Sequence, residues 1–333
     1  MQDVDMWHRA VGEARLRIAD YAARTPVVLS DPLSGQLGHP VWFKCEQFQP
    51  MGAFKIRGAA NALVALRDCG QLLGAVTYST GNHGLAVACV AQKLGIPAII
   101  CISRHVPDNK VAALRARGAE IVIDGESQDD AHVRAEQLAQ ERDFALIEPF
   151  DDPDVIAGQG TIAAEILEQV PDVAQVVVPV SGGGLAAGVG VELKAQRPDV
   201  HVVGVSMEGG AVMYESLKRG FPVQMPESPT LADSLQGGIG LDNRWTMQMV
   251  GEFVDEMILV SETEISQAMG FLAVEEGIVV EGAAAVTAAW LRRGEALSGP
   301  AVAILTGRNV DGTVVASLMA EYTGTRLQHN PIP

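Results

Sequence analysis

The 333-residue sequence contains no apolar run that reaches the roughly 18 residues needed to span a membrane. Its first residues, MQDVDMWHRA, lack the basic start and the apolar core of a secretory signal peptide. Basic residues are few, with 24 Lys and Arg against 41 Asp and Glu, and the net charge is −17. Such a charge repels phosphate backbones and anionic lipids, which argues against nucleic-acid and membrane partners. We therefore expect a cytoplasmic protein.

Cysteine is also scarce. The four cysteines, Cys45, Cys69, Cys89 and Cys101, form no CxxC pair and no spacing typical of a zinc site. Cys45, Cys89 and Cys101 lie inside apolar stretches, where a reduced cysteine packs as a small hydrophobic residue. The sequence therefore predicts neither disulfides nor a zinc site.

Apolar residues make up 48% of the chain, which allows a large core. Nine short β-branched runs between Val41 and Leu305 alternate with longer helical patterns. Several runs, such as VVVPV and AVAIL, are apolar almost throughout, as strands covered on both faces are. The repeated order strand, helix, strand predicts an α/β protein with parallel sheets and right-handed crossovers. So many strands favour two packed α/β domains over a single sheet.

The segment QPMGAFKIRGA (Gln49–Ala59) places Lys55 immediately before a helical pattern. The dipole at a helix N-terminus disfavours a cation and so favours the neutral amine. A neutral amine attacks an aldehyde to form a Schiff base. From this segment alone, an exposed lysine on the first helical turn fits equally well.

The segment STGNHG (Ser79–Gly84) follows a strand pattern and precedes a helical one. It brings two hydroxyls, an amide and an imidazole to a turn with free backbone N–H groups, where a carboxylate can bind. Asn82 also fits a plain helix cap, and His83 alone also fits a packed histidine.

The segment SGGGL (Ser181–Leu185) has three consecutive glycines between a strand and an Ala-rich helix. Such a loop, with the helix dipole behind it, predicts a phosphate site. Gly182, Gly184 and Ala187 also fit the pattern GxGxxA, with Glu208 near the position of an acidic ribose-binding residue. This alternative predicts a nicotinamide-dependent oxidoreductase, but it leaves Lys55 and STGNHG without a role.

Together with LTGRNVD (Leu305–Asp311), which places Thr306 at a strand end, these segments resemble the fold-type II pyridoxal-phosphate enzymes. The specific group is that of the threonine dehydratases and serine racemases. The resemblance extends over nearly the whole chain and is carried by AFKIRGA, STGNHG, EPFDDPDVIAGQGTIAAEI, SGGGLAAG, VVEGAAA and LTGRNVD. It implies a fold like that of the tryptophan synthase β subunit, with two open parallel-sheet α/β domains. A large cofactor-binding domain would comprise residues 1–74 and 151–333, and a small substrate-closing domain residues 75–150.

The resemblance also implies a role for each residue of these motifs. Lys55 would hold pyridoxal 5'-phosphate as a Schiff base and shuttle the α-proton, and Thr80 would be a second catalytic residue on the other face. The ring would be bound by Phe54, Asn82, Glu281 and Thr306, and the phosphate by Gly182, Gly183, Gly184 and Leu185. The substrate would be bound by Ser79, Thr80, Gly81, Asn82 and His83.

The implied reaction is that of an ammonia-lyase, which converts a small β-hydroxy amino acid of the threonine or serine type to a 2-keto acid and ammonia. A neutral hydroxyl at Thr306 does not keep the pyridine nitrogen protonated, so the ring is a weaker electron sink and prompt loss of the β-hydroxyl is favoured. The alternatives within the group are a 3-hydroxyaspartate dehydratase, the dehydratase of hydroxyectoine utilisation, and a serine racemase.

Two departures from the group bear on these alternatives. The cation ligands of the racemases align with Ser206 and Val212, and Glu208 is shifted, so we expect no metal. Arg308 replaces a common glycine and points either to an acidic substrate such as 3-hydroxyaspartate or to solvent. By family habit we expect a homodimer.

Overall fold

The computed structural model describes residues 3–79, 81–104, 108–126 and 128–329. Ten strands within them form two sheets: β1 (Val27–Leu29), β2 (Val41–Cys45), β3 (Ala75–Tyr78), β4 (Ala98–Ile102), β5 (Glu120–Ile123), β6 (Ala145–Leu146), β7 (Gln175–Pro179), β8 (His201–Met207), β9 (Glu256–Val260) and β10 (Ala301–Leu305). The first sheet has the order β1-β2-β10-β7-β8-β9, and the second has the order β5-β4-β3-β6. Every pairing is parallel except that of β1 with β2.

The helices are α1 (Val4–Arg17), α2 (Asp31–Leu37), α3 (Ile56–Asp68), α4 (Asn82–Leu94), α5 (Asp108–Arg115), α6 (Gln128–Arg142), α7 (Pro153–Gln169), α8 (Gly184–Gln196), α9 (Val212–Arg219), α10 (Thr246–Phe253), α11 (Glu262–Val274), α12 (Gly282–Leu291) and α13 (Gly312–His329). Short 3₁₀ turns cover Glu46–Phe48 and Asp233–Leu235. In the part of the chain that the structure describes, no helix is long and apolar enough to cross a membrane.

Helices cover both faces of the first sheet, which explains why its strands are apolar throughout. Along β10, Val302 and Ile304 belong to one core with α7 and α8. Ala303 and Leu305 belong to a second core with α11 and α12. Since successive side chains of a strand point to opposite faces, each face of β10 needs apolar residues. The predicted parallel α/β architecture is confirmed. Strand β1, which no pattern predicted, has only three residues and lies largely exposed at the sheet edge.

Glycines allow the helices behind the site to approach each other closely. A Cβ at Gly158 of α7 would lie 2.7 Å from Cα of Gly58 on α3. A Cβ at Gly188 of α8 would lie 2.3 Å from the carbonyl oxygen of Ile156 on α7. Helices α3 and α8 begin next to Lys55 and the glycine loop respectively, so this packing sets the distance between these two segments.

A buried ionic network lies beneath the start of α3. Arg57 donates to both carboxylate oxygens of Glu46 at 2.8 Å and to Glu165 Oε1 at 2.7 Å. Lys44 of β2 donates to Glu165 Oε2 at 2.5 Å. Burial would raise the pKa of Glu46, but the ion pair with Arg57 outweighs it and holds that pKa below its usual value. The network therefore ties β2, α3 and α7 together by charge-assisted hydrogen bonds.

Candidate active site

The sequence-predicted site residues line one cavity of about 150 Å³. They are Phe54, Lys55, Ser79, Gly81, Asn82, His83, Gly182, Gly183, Gly184, Leu185, Glu281 and Thr306. Thr80 lies outside the described residues. A second cavity, of about 730 Å³, adjoins the first, and Phe150 and Gly238 line both. The motifs that carry Lys55 and Thr306 are about 250 residues apart in the sequence, and the fold brings them together in one cavity.

Lys55 occupies the N-cap position of α3, as its place before the helical pattern predicts. Its Nζ donates to the carbonyl oxygen of Pro149 at 2.6 Å and lies 5.4 Å from the centre of the Phe54 ring. Burial lowers the pKa of Lys55 from 10.5 to about 8. The side chain therefore yields the neutral, nucleophilic amine far more readily than an exposed lysine does.

The STGNHG turn is held in shape by close backbone packing. A Cβ at Gly84 would lie 2.3 Å from the carbonyl oxygen of Ser79, so only glycine fits there. Helix α4 begins at Asn82, and its N-cap residue is Gly81. Asn82 is therefore not the helix cap. Its side chain is 7% exposed and donates to Glu281 Oε1 at 2.8 Å.

His83 is 2% exposed, and its Nε2 lies 3.0 Å from the carbonyl oxygen of Ile147. Because a carbonyl only accepts, Nε2 carries the proton and Nδ1 is an acceptor. Burial, together with the nearby charge of Lys55, lowers the pKa of His83 to about 3, so the ring is neutral. Nδ1 is buried without a hydrogen-bond partner among the described residues. Carboxylate binding by this side chain would require a proton on Nδ1, which the lowered pKa disfavours.

The glycine loop runs directly over Phe150. A Cβ at Gly182 would lie 2.3 Å from that ring, and a Cβ at Gly184 would lie 2.8 Å from the Phe150 carbonyl oxygen. Gly183 adopts a left-handed φ of +89°, which favours glycine. It is the N-cap of α8 and provides no side-chain cap, so the first N–H groups of the helix have no intrahelical partner. A phosphate group fits such an uncapped N-terminus.

The strand end at Thr306 is joined to the segment that carries Lys55. The carbonyl oxygen of Thr306 accepts from the backbone N–H of Phe54 at 3.0 Å, and Ala53 forms a bridge with Gly307. Thr306 itself is buried. The acids in the cavity wall, among the described residues, are Asp233 and Glu281, and Glu281 lies at the N-cap of α12.

Several lining residues were not predicted. Pro149 and Phe150 belong to a segment that carried the family resemblance, so a signal for them was present. Asp233–Gln236 shows no pattern that indicates a site, yet it closes one side of the cavity, with Ser181 donating to the carbonyl oxygen of Leu235 at 2.9 Å. Arg308 is exposed and does not line the cavity. Of its two interpretations, the solvent-facing one is confirmed.

Residues 18–307 match the pyridoxal-phosphate dependent enzyme family. The chain belongs to this family. It is 40% identical to the L-threonine ammonia-lyase of Geobacter sulfurreducens, over 90% of this chain and 75% of that protein. It is 38% identical to the L-threo-3-hydroxyaspartate ammonia-lyase of Saccharomyces cerevisiae, over 92% and 94% of the two chains. The structure of maize serine racemase superposes with a TM-score of 0.87 at 35% identity, over 97% and 98% of the two chains.

These matches confirm the predicted fold-type II fold, the cofactor pyridoxal 5'-phosphate and the class of ammonia-lyase. They argue against the nicotinamide alternative, whose required acid, Glu208, is an exposed residue just after β8. The site fits the cofactor on two observations: the uncapped glycine cradle at Gly182–Gly184 and the amine of Lys55 with its lowered pKa. Among the described residues, no group of three or more His, Cys, Asp or Glu side chains is arranged to hold a metal.

Proposed function

We propose that this pyridoxal-phosphate enzyme converts a monocarboxylic β-hydroxy amino acid, such as threonine or serine, to a 2-keto acid and ammonia. The observation that carries the proposal is the half-buried Lys55, whose amine has a lowered pKa and which lines the same cavity as the uncapped glycine cradle. Relatives with 36–44% identity include proteins named as threonine ammonia-lyases and dehydratases.

Each set of cavity residues would have a different role in the reaction, according to its chemistry. Bound pyridoxal phosphate supplies an aldehyde that condenses with amino groups and a ring that withdraws electrons from the substrate α-carbon. Backbone N–H groups of Gly182–Leu185 would hold its phosphate. Lys55, with its pKa of about 8, suits a base that takes the α-proton near neutral pH. Thr306 would offer the ring nitrogen a neutral hydroxyl and so would not supply it with a fixed proton. We keep Thr80 as the candidate for proton transfer on the opposite face.

The charges around the cavity favour a substrate with one carboxylate. Among the described residues that line it, Lys55 is the only cationic side chain. The adjoining cavity carries more acids than bases: Glu136, Glu148, Asp151, Asp152, Glu227 and Asp242, against Arg244 and His132. A second substrate carboxylate would be repelled there and would lose its water without gaining a partner. This supports threonine or serine over 3-hydroxyaspartate.

We further propose that residues 75–150 form a small domain that closes over the substrate, on a large domain of residues 1–74 and 151–333. The strands of the second sheet, β3 to β6, all lie within residues 75–150. The strands of the first sheet all lie within residues 1–74 and 151–333. Closure would exclude water from the reaction. We also propose a homodimer, the commonest oligomer, in the cytoplasm, where cysteines stay reduced; all four cysteines of this chain are free.

The test is keto-acid release by the purified holoenzyme from the L and D isomers of threonine, serine and 3-hydroxyaspartate. We expect kcat/KM for L-threonine or L-serine to exceed that for each 3-hydroxyaspartate isomer. Chiral analysis of the serine that remains detects racemisation. Preference for 3-hydroxyaspartate would contradict the charge argument, and inactivity with every substrate would contradict the lyase assignment.

A matched pair of variants tests the role of the lysine. Borohydride reduction of the holoenzyme followed by peptide mass analysis should place the cofactor on Lys55. Lys55→Ala should abolish both this attachment and keto-acid release. Lys218→Ala, at an exposed lysine of α9, should change neither.

A further inference from the structure

Asn309 does not line the active-site cavity, but its side-chain amide reaches the residues that do. Its Nδ2 donates to Oδ1 of Asn82 at 2.6 Å and to the carbonyl oxygen of Met51 at 3.2 Å. One amide nitrogen therefore joins three segments: the chain just before Lys55, the STGNHG turn, and the loop that follows β10.

The two partners of Asn82 define the orientation of its amide. Asn309 donates, so Asn82 must present its oxygen on that side. Glu281 accepts at 2.8 Å, so Asn82 must present its nitrogen there. A flipped amide would set oxygen against the carboxylate and nitrogen against nitrogen, and would lose both hydrogen bonds. In the observed orientation, the second N–H of Asn82 stays available to a ligand in the cavity.

The backbone around Asn309 is built to hold this side chain. The N–H of Arg308 donates to the carbonyl oxygen of Gly52 at 2.9 Å, which docks the loop against the segment before Lys55. Gly52 has a left-handed φ of +84°, and a Cβ there would lie 2.7 Å from Oδ1 of Asn309. Glycine at position 52 therefore leaves the space that the Asn309 amide occupies.

We propose that Asn309 is a positioning residue, which fixes the amide of Asn82 so that its donor side faces Glu281 and the cavity. It acts on the affinity and the electronic state of the bound cofactor without touching the cavity itself. The inference rests on the cofactor site, and it uses the proposed reaction only for its effect on the rate.

The test uses Asn309→Asp, which keeps the shape but replaces the donor by an acceptor that faces Asn82 Oδ1. The variant loses the hydrogen bonds to Asn82 Oδ1 and to the Met51 carbonyl oxygen and gains a repulsion at Asn82, which predicts about tenfold weaker cofactor binding, equal to about 1.4 kcal/mol. The visible absorbance band of the holoenzyme should also shift. The Tm of the cofactor-free variant should fall only slightly, because the lost hydrogen bonds belong to an exposed residue outside the core. Arg308→Ala, at the exposed neighbour, should leave affinity and spectrum unchanged.

A double-mutant cycle decides whether Asn309 acts through Asn82. If it does, Asn309→Ala should weaken cofactor binding in the wild type but not in the Asn82→Ala background. Additive losses would overturn the proposal, as would unchanged affinity and spectrum in Asn309→Asp. Cofactor affinity and absorbance need no substrate. A wrong assignment of the substrate would therefore leave these readouts intact, and the two failures are distinguishable.

Discussion

Lys55 lies at the centre of the site, and its burial makes a measurable prediction about stability. Replacing it by Met removes the charge and keeps the length of the side chain. The pKa of Lys55 falls from 10.5 to about 8 on burial, and at about 1.4 kcal/mol per pH unit this corresponds to about 3 kcal/mol. The residue keeps some exposure, and the variant loses the bond to the Pro149 carbonyl, about 1 kcal/mol. We expect cofactor-free Lys55→Met to be about 2 kcal/mol more stable than wild type at pH 7.

The pH dependence separates this explanation from a general packing effect. The folded pKa of Lys55 lies below its unfolded value, so the unfolded state binds more protons between about pH 8 and 10.5. The contribution of Lys55 to wild-type stability should therefore rise with pH across this window, and the deficit of wild type relative to Lys55→Met should shrink towards zero near pH 10. Urea unfolding followed by circular dichroism at pH 7 and pH 10 measures both differences. Lys218→Met, at an exposed lysine, should differ little from wild type at either pH. A deficit that is absent at pH 7, or equal at both pH values, would refute the reasoning.

Two further substitutions test the cradle and the network beneath it. Gly182→Ala would place a Cβ 2.3 Å from the Phe150 ring, so cofactor affinity measured by titration should fall more than tenfold. Gly12→Ala, in open space on α1, should leave that affinity unchanged and add up to about 1 kcal/mol of stability. Arg57→Met would leave Glu46 buried without its ion-pair partner and Glu165 with Lys44 alone, and should cost about 3–5 kcal/mol in urea unfolding. A cost below about 1 kcal/mol would mean that the network contributes little to the fold.

Much of the site was predictable because open parallel sheets place ligands at the carboxyl ends of their strands. The STGNHG turn follows β3, the glycine loop follows β7, and Thr306 follows β10. Each motif was visible in the sequence as a polar or glycine-rich turn after an apolar run. The sheet geometry then brings motifs from distant parts of the chain into one cavity.

What the sequence could not supply depends on contacts between distant residues. The proton of His83 is placed by the carbonyl of Ile147, a residue at the end of another strand. No local pattern reveals that partner. Arg308 sits in a loop whose docking on Gly52 turns its side chain to solvent. The role of Asn309 likewise arises from a contact with Asn82, 227 positions away.

Lys55 differs from two fully buried cations near it, Lys44 and Arg57, in the kind of group that it contacts. Lys44 and Arg57 are fully buried, and each forms an ion pair with Glu165. Close to Lys55, buried cations are therefore neutralised by a carboxylate, that of Glu165. Lys55 lies only two residues from Arg57, but it donates its hydrogen bond to the neutral carbonyl of Pro149, and burial alone accounts for its lowered pKa. A carboxylate beside Lys55 would raise that pKa and keep the amine protonated. The ion pairs under α3 thus hold the helix rigidly, while the lysine at its start keeps the depressed pKa that a nucleophile and base requires.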